Sequence, residues 1–85
     1  MREIYEMFRG KNTPEQVMRA AGEGIDAQFY AYLYTGLYYE AVGEPEPALR
    51  QIAEAAGDRF SAAGYMHDVA RVHRDLRNRA KLRIP

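Results

Sequence analysis

The two histidines of this sequence are its first candidates for metal binding or acid–base chemistry. His67 and His73 are six residues apart, which separates them by ~240° around the axis if both lie on one helix. They cannot then hold one metal ion without further ligands. Asp68 follows His67 directly, but neighbouring side chains on a helix point in different directions. The histidines therefore do not predict a catalytic or metal site.

Paired carboxylates are the next candidates. Glu44 with Glu46, or Glu6 with Glu40, could form such pairs, although acidic residues are expected on exposed helical faces in any case. The sequence contains no nucleophile elbow, phosphate-binding loop or metal-ligand spacing. It has no cysteine either, which excludes disulfides and thiolate zinc sites. We predict a protein without catalytic activity, metal or cofactor.

The basic side chains gather towards the end of the chain. Residues 1–58 contain five basic and ten acidic side chains, and residues 59–85 contain seven basic and two acidic ones. The run "RVHRDLRNRAKLR" is dense enough to follow a phosphate backbone, but it contains no aromatic residue for base stacking. Basic residues are also favoured at the C-terminal end of a helix. Binding to nucleic acid or to an acidic partner is therefore an alternative function.

Length and hydropathy predict one soluble domain. The chain has 85 residues, with no apolar run near the ~20 residues of a membrane span. Glycine and proline divide it into five segments that favour helix, and none that favours strand. The predicted helices cover residues 2–9, 14–22, 26–42 and 45–57, and a last segment from Asp58 or Ser61 to about Ala80, in which Gly64 is a weak point.

In the last helix, six positions lie three or four residues apart and are predicted to face a core. They are Met66, Val69, Ala70, His73, Leu76 and Ala80. On this stripe, His73 is predicted to be hydrogen-bonded at a packing seam.

The sequence also contains a repeat. Tyr5-Glu6 recurs as Tyr39-Glu40, 34 residues later, and each pair precedes a helix that ends in Ala-Ala-Gly. Short connections predict antiparallel helical hairpins. A period of 34 residues is typical of tetratricopeptide repeats.

Residues 29–62 resemble a full tetratricopeptide repeat. Tyr32, Gly36 and Tyr39 match the large, small and large positions of the family's first helix, and Ala48 and Ala55 match the small positions of its second. Residues 1–22 resemble a partial repeat and residues 63–80 a capping helix. The resemblance implies an all-α domain of about five helices, stacked as hairpins, that binds a peptide or partner protein. The chain departs from the family at Thr35, where leucine is usual, and at Phe60, near the usual proline.

Two longer stretches are similar to the C-terminal region of bacterial NlpI-like tetratricopeptide proteins. They read "IYEMFRGKNTPEQVMRAAGEG" and "AQFYAYLYTGLYYEAVGEPEPALRQIAEAA". Those relatives are adaptors that dimerise and dock proteases or cell-wall hydrolases. Membrane anchoring does not carry over, because this chain lacks the lipid-attachment cysteine. The resemblance leaves the compartment open between cytoplasm and bacterial periplasm.

In that family, the first helices of successive repeats line a concave face that receives a peptide. The resemblance implies a partner-binding surface here with one apolar and one basic wall, suited to a peptide that has an apolar anchor and a carboxylate. Arg71 and Arg74 could instead form an ordinary solvated helix face. The surface is predicted to comprise Tyr30, Leu33, Tyr34, Leu37, Glu40, His67, Arg71 and Arg74.

The start of the chain resembles a truncated hairpin, which predicts incomplete cover for Ile4, Tyr5 and Phe8. A second copy would cover them. The sequence therefore predicts a homodimer.

Overall fold

The computed structural model describes the backbone of residues 2–83, and all side chains in that range except Ala62 and residues 80–83. The described chain is helical throughout and contains no strand, which confirms the predicted all-α fold. The elements are α1 (Arg2–Phe8), α2 (Pro14–Ala21), α3 (Ile25–Ala41), α4 (Pro45–Ala55), a 3₁₀ helix (Asp58–Ala63) and α5 (Tyr65–Arg83).

The second helix begins as the sequence predicts. The Thr13 hydroxyl accepts a hydrogen bond from the Gln16 backbone N–H at 3.2 Å, and the Gln16 side chain accepts one from the Thr13 N–H at 2.8 Å. This reciprocal pair satisfies two donors that a helix start leaves without partners. Pro14 follows at a position where its missing N–H costs nothing.

The last predicted helix is divided at Gly64. Its backbone has φ of +64°, a left-handed conformation that glycine adopts without steric cost. The 3₁₀ helix ends there and α5 begins at Tyr65. The helix is therefore interrupted completely at the predicted weak point, so the direction of α5 is independent of that of the 3₁₀ helix.

Helices α3 and α4 form a closely packed antiparallel hairpin. A methyl group added to Gly36 of α3 would overlap the Ile52 side chain and lie 3.2 Å from the carbonyl oxygen of Ala48. The two backbones thus approach each other where the small residues of the pattern predicted contact. Only glycine fits this position without a shift of α4.

A buried hydroxyl also joins this hairpin. Thr35 is fully buried, and its Oγ1 donates to the Ala31 carbonyl oxygen at 2.6 Å. The same oxygen accepts a hydrogen bond from Gln51 Nε2 of α4 at 3.0 Å. Leucine, the usual residue of the resembled repeat, could not make either bond.

We expect Thr35→Val to lower the free energy of unfolding by about 1–2 kcal/mol, because valine fills the space but leaves Gln51 Nε2 without its acceptor. Urea unfolding followed by circular dichroism measures this change. In a Gln51→Leu background the same substitution should cost at least ~0.5 kcal/mol less. Equal costs in the two backgrounds would show that the hydrogen bond does not couple α3 to α4.

Helix α5 runs antiparallel to α4 and therefore parallel to α3. His67, near its start, lies at the C-terminal end of α4, within 3.1 Å of the Ala56 carbonyl oxygen. Asn78, a little over three turns later, lies beside Glu46 and Leu49 in the first half of α4.

Two buried clusters hold the helices together, and α3 contributes to both. Phe29 and Leu33 of α3 join the cluster that includes α4, the 3₁₀ helix and α5, whereas Ala31 joins the cluster with α1 and α2. The first cluster comprises Phe29, Leu33, Ala55, Ala56, Phe60 and Ala70, and the second Met7, Val17, Ala21 and Ala31. Helix α3 is therefore the central element of the fold.

The predicted core stripe of α5 is only partly correct. Ala70 is fully buried and Met66 packs against the first cluster. Val69 and Leu76, however, are exposed, and the side chain of Ala80 lies outside those described. The reason is that α5 lies against α3 and α4 on one side only, so a single narrow strip of it is covered.

Candidate peptide-binding surface

Two of the residues predicted to line the binding surface are instead buried. Leu33 is 3% exposed and belongs to the first cluster, and His67 is 5% exposed. Neither can contact a ligand at the surface. His67 was misplaced because the sequence pattern did not show which side of α5 faces the other helices. Leu33 was misplaced because the pattern did not show that the first cluster covers this side of α3.

His67 instead completes the end of α4. Its Nε2 lies 3.1 Å from the Ala56 carbonyl oxygen and 2.9 Å from that of Gly57. The last carbonyl groups of a helix have no intrahelical donor, so the Nε2–H supplies one to Ala56. The Gly57 oxygen also accepts a hydrogen bond from the Phe60 backbone N–H at 3.0 Å. The role of His67 is therefore to fix α5 against α4.

Glu40 links α3 to α5. Its carboxylate accepts a hydrogen bond from His73 Nε2 at 2.7 Å and another from Arg77 Nε at 2.9 Å. The Glu40 side chain is only 19% exposed. His73 thus lies hydrogen-bonded at a packing seam, as the sequence predicted. Arg77 was not predicted, although its position four residues after His73 places both on one face of α5.

Arg71 and Arg74 do not form the predicted basic wall. Arg71 lies two residues before His73, about 160° around the helix from the side that faces α3. Each arginine is near an acidic neighbour instead, Arg71 with Asp68 at 3.7 Å and Arg74 with Asp75 at 3.1 Å. The structure does not bring them together with the tyrosines of α3.

Three predicted residues do share one exposed side of α3. The rings of Tyr30 and Tyr34 stack with centroids 6.3 Å apart and an interplanar angle of 23°. Leu37 follows on the same side and packs partly against the first cluster. Tyr38, by contrast, contacts Phe8 of α1 edge to face at 5.8 Å, so the free tyrosine surface lies between α1 and α5.

Helix α5 also has an exposed apolar stripe, and two of its members, Val69 and Leu76, were predicted to face the core. Tyr65 is 79% exposed, Val72 58% and Leu76 55%, and Val69 is also exposed. An open depression of about 390 Å³ lies over this stripe. The residues of this stripe are spaced by four, three and four positions, which is a helical periodicity. Met66, Ala70 and His73 have the same kind of spacing, so periodicity alone does not show which of the two stripes is buried.

The exposed sides of α3 and α5 adjoin. The two helices are parallel, and Glu40 of α3 lies level with His73 and Arg77 of α5. Tyr34 precedes Glu40 by six residues on α3, and Val69 precedes Arg77 by eight residues on α5. Because each residue advances a helix by 1.5 Å, Tyr34 and Val69 lie at similar heights along the two parallel helices. We call the combined patch the α3–α5 surface. It comprises Tyr30, Tyr34, Leu37, Tyr65, Val69 and Leu76.

A second cavity, of about 330 Å³, lies between α2 and α4, with Tyr39 at its base. Burial raises the pKa of the Tyr39 phenol, and the carboxylates of Glu15 and Glu44 raise it further. The phenol therefore stays protonated well into the alkaline range and serves as a packing residue with a polar tip.

Within residues 2–83, no three histidine or acidic side chains lie close enough to hold a metal ion. Over the same range, no helix has the length and apolarity required to cross a membrane.

Comparison with known proteins adds no family to these observations. Searches of protein-family models, curated proteins and solved structures found no significant match to this chain.

Proposed function

We propose that this chain is a tetratricopeptide-like interaction module without catalytic activity, which binds a peptide or a partner's helix on the α3–α5 surface. The observation that carries the proposal is the exposure of large apolar and aromatic side chains on two neighbouring parallel helices. Tyr65 and Leu76 of α5 are each more than half exposed, and Tyr30 of α3 is 36% exposed. Contiguous exposed apolar patches are characteristic of interaction sites.

The chemistry of the surface favours an apolar ligand over an acidic one. Glu40 is already paired with His73 and Arg77. Arg71 and Arg74 have acidic partners of their own and lie away from the tyrosines. Tyr30 and Tyr34 offer flat aromatic contact with hydroxyl groups for hydrogen bonds, as interface tyrosines commonly do. Apolar anchors of the peptide therefore supply most of the binding energy.

The tetratricopeptide assignment is supported by the packing of α3 on α4. Gly36 meets Ala48 and Ile52 at the positions where the family places its small residues. Helix α5 then returns parallel to α3, as the first helix of a following repeat would. In that arrangement the exposed sides of α3 and α5 face the ligand.

Nucleic-acid binding through α5 has less support. Arg71, Arg74 and Arg77 each lie within 4.0 Å of a carboxylate, which reduces the positive charge available to a phosphate backbone. A steep loss of affinity for polynucleotide with added salt would identify this alternative. Binding through apolar anchors depends far less on salt.

The test is a peptide selected from a display library against the intact chain. Replacing Tyr34 with alanine, or Val69 with alanine, should remove an anchor from the surface. We expect Tyr34→Ala to reduce the binding free energy of the peptide by about 2 kcal/mol, which is roughly a thirtyfold rise in Kd. Calorimetry measures this change. The matched control is Arg71→Ala combined with Arg74→Ala, which should leave Kd within about threefold.

All of these variants should remain folded, with melting temperatures lowered by no more than about 8 °C, because the substituted side chains are exposed or half-buried. If the arginine pair is required and Tyr34 and Val69 are not, the ligand lies on the other side of α5 and the proposed surface is wrong.

A further inference from the structure

The cavity between α2 and α4 is separate from the α3–α5 surface. Its volume of about 330 Å³ is within the range of small-molecule pockets in proteins. Met18 of α2 and Pro47 of α4 give it apolar walls, and Tyr39 of α3 lies at its base. None of the residues that form the α3–α5 surface lines it. The cavity is therefore a second candidate binding site.

The two walls of the cavity meet at one buried hydroxyl. Gln51 Nε2 of α4 donates to Thr35 Oγ1 at 3.0 Å, and Met18 Sδ of α2 lies 4.0 Å from the same oxygen. Thr35 is fully buried and precedes Tyr39 by four residues, so both lie on one side of α3. Because these contacts hold the walls before a ligand arrives, the entropic cost of binding is reduced.

Two opposite charges border the cavity from different helices, Glu15 on α2 and Arg50 on α4. Among the residues that the structure describes, neither has a partner of opposite charge within 4.0 Å. Arg19 follows Glu15 by one turn, and Glu46 and Glu54 flank Arg50 by one turn each, but none of these neighbours comes that close. Both charges are therefore available to a ligand.

The phenol of Tyr39 shows that these charges act on the same space. Burial raises its pKa, the carboxylates of Glu15 and Glu44 raise it further, and the guanidinium of Arg50 lowers it. Because the phenol stays protonated, its hydrogen bond to Glu15 orients that carboxylate without neutralising it. The cavity thus has a negative side and a positive side. A ligand that carries both charges fits it better than a simple anion or cation.

We propose that this cavity binds a small zwitterion, a free amino acid or dipeptide with an apolar side chain. The Arg50 guanidinium holds the ligand's carboxylate with two parallel hydrogen bonds, and Glu15 and the Gln51 amide oxygen accept from its ammonium group. The apolar side chain lies between Met18 and Pro47. Because Glu15 and Arg50 are exposed, each ion pair contributes little, and Kd lies in the millimolar range. The inference does not depend on the proposed peptide binding.

NMR titration of the intact, isotopically labelled chain with leucine and with leucyl-leucine tests the proposal. At least one of these ligands should give saturable shifts centred on Met18, Tyr39 and Gln51, and the tighter of the two shows which length spans the charges. Its N-acetylated and C-amidated forms should each bind at least about threefold more weakly, because each lacks one charge. Blocked forms that bind as tightly as the free ligand, or no saturation at tens of millimolar, would overturn the proposal.

Two single substitutions assign the ends of the ligand. Arg50→Gln should abolish the preference for the free over the amidated ligand, and Glu15→Gln the preference for the free over the acetylated one. Arg19→Gln and Glu54→Gln remove exposed charges of the same helices outside the cavity, so these matched controls should keep both preferences. Tyr34→Ala should keep them too, which separates this site from the peptide-binding surface. If Arg50→Gln still prefers the free carboxylate, or Glu15→Gln the free amine, the ligand is bound elsewhere and the proposal is wrong.

Discussion

Replacing Gly36 with leucine is expected to unfold most of the chain at room temperature. Any side chain at this position must enter space that Ile52 and the Ala48 carbonyl already occupy. Overpacking costs about 1–3 kcal/mol, and more where backbone blocks the way. Single domains of this size have little stability to lose. Far-UV circular dichroism during urea unfolding measures the loss.

Gly36→Ala should be less damaging than Gly36→Leu and should lower the free energy of unfolding by about 1–3 kcal/mol. Gly24→Ser is the matched control, because Gly24 is the N-cap of α3 and the nearest atom to an added Cβ there is Ala27 Cβ at 3.9 Å. Serine is a preferred N-cap residue, so we expect its effect to stay within about 0.5 kcal/mol. If Gly36→Ala is as well tolerated as Gly24→Ser, the close approach of α3 to α4 does not exist in solution.

Phe60→Ala is expected to lower the free energy of unfolding by about 3–5 kcal/mol. The Phe60 ring is fully buried, with centroid distances of 5.7 Å to Phe29 and 6.0 Å to Tyr32. The Arg59 guanidinium covers it at 4.5 Å from the ring centre. Removing the ring opens a cavity where the 3₁₀ helix meets α3.

Phe8→Ala is the control for this substitution. Phe8 is about half exposed on α1, so its removal should lower the free energy of unfolding far less. Hydrogen exchange should also show faster exchange of α5 amides in Phe60→Ala, because the ring anchors the segment that leads into α5. The same variant should lose peptide binding, since the α3–α5 surface needs α5 in place. Unchanged exchange in α5 would contradict this anchoring role.

Sequence reasoning predicted the helices well, because their ends depend on local chemistry. The capping box at Thr13, the prolines that begin α2 and α4, and the glycine break before Tyr65 are all visible in the sequence. The contact of Gly36 with Ala48 could also be predicted, since close helix contacts require small residues. The bond from Gln51 to Thr35 could not, because nothing local pairs residues on two helices.

The positions of the residues predicted to bind a partner agree less well with the structure, and the difficulty lies mainly in α5. Two apolar stripes run along this helix, and periodicity alone does not choose between them. Contacts between distant residues determine which stripe is buried: His67 is hydrogen-bonded to the end of α4, and Glu40 is hydrogen-bonded to His73. These contacts bury Ala70, turn Arg71 away from α3 and expose Val69. On α3, Tyr30, Tyr34 and Leu37 lie together on one free side as the sequence predicted, whereas Leu33 faces the cluster.

NMR mapping of a selected peptide on the isotopically labelled chain shows directly whether the peptide lies on the α3–α5 surface. We expect the largest chemical-shift changes on Tyr30, Tyr34 and Leu37 of α3 together with Val69 and Leu76 of α5. Changes centred on Arg71 and Arg74, or on α1 and α2, would contradict it.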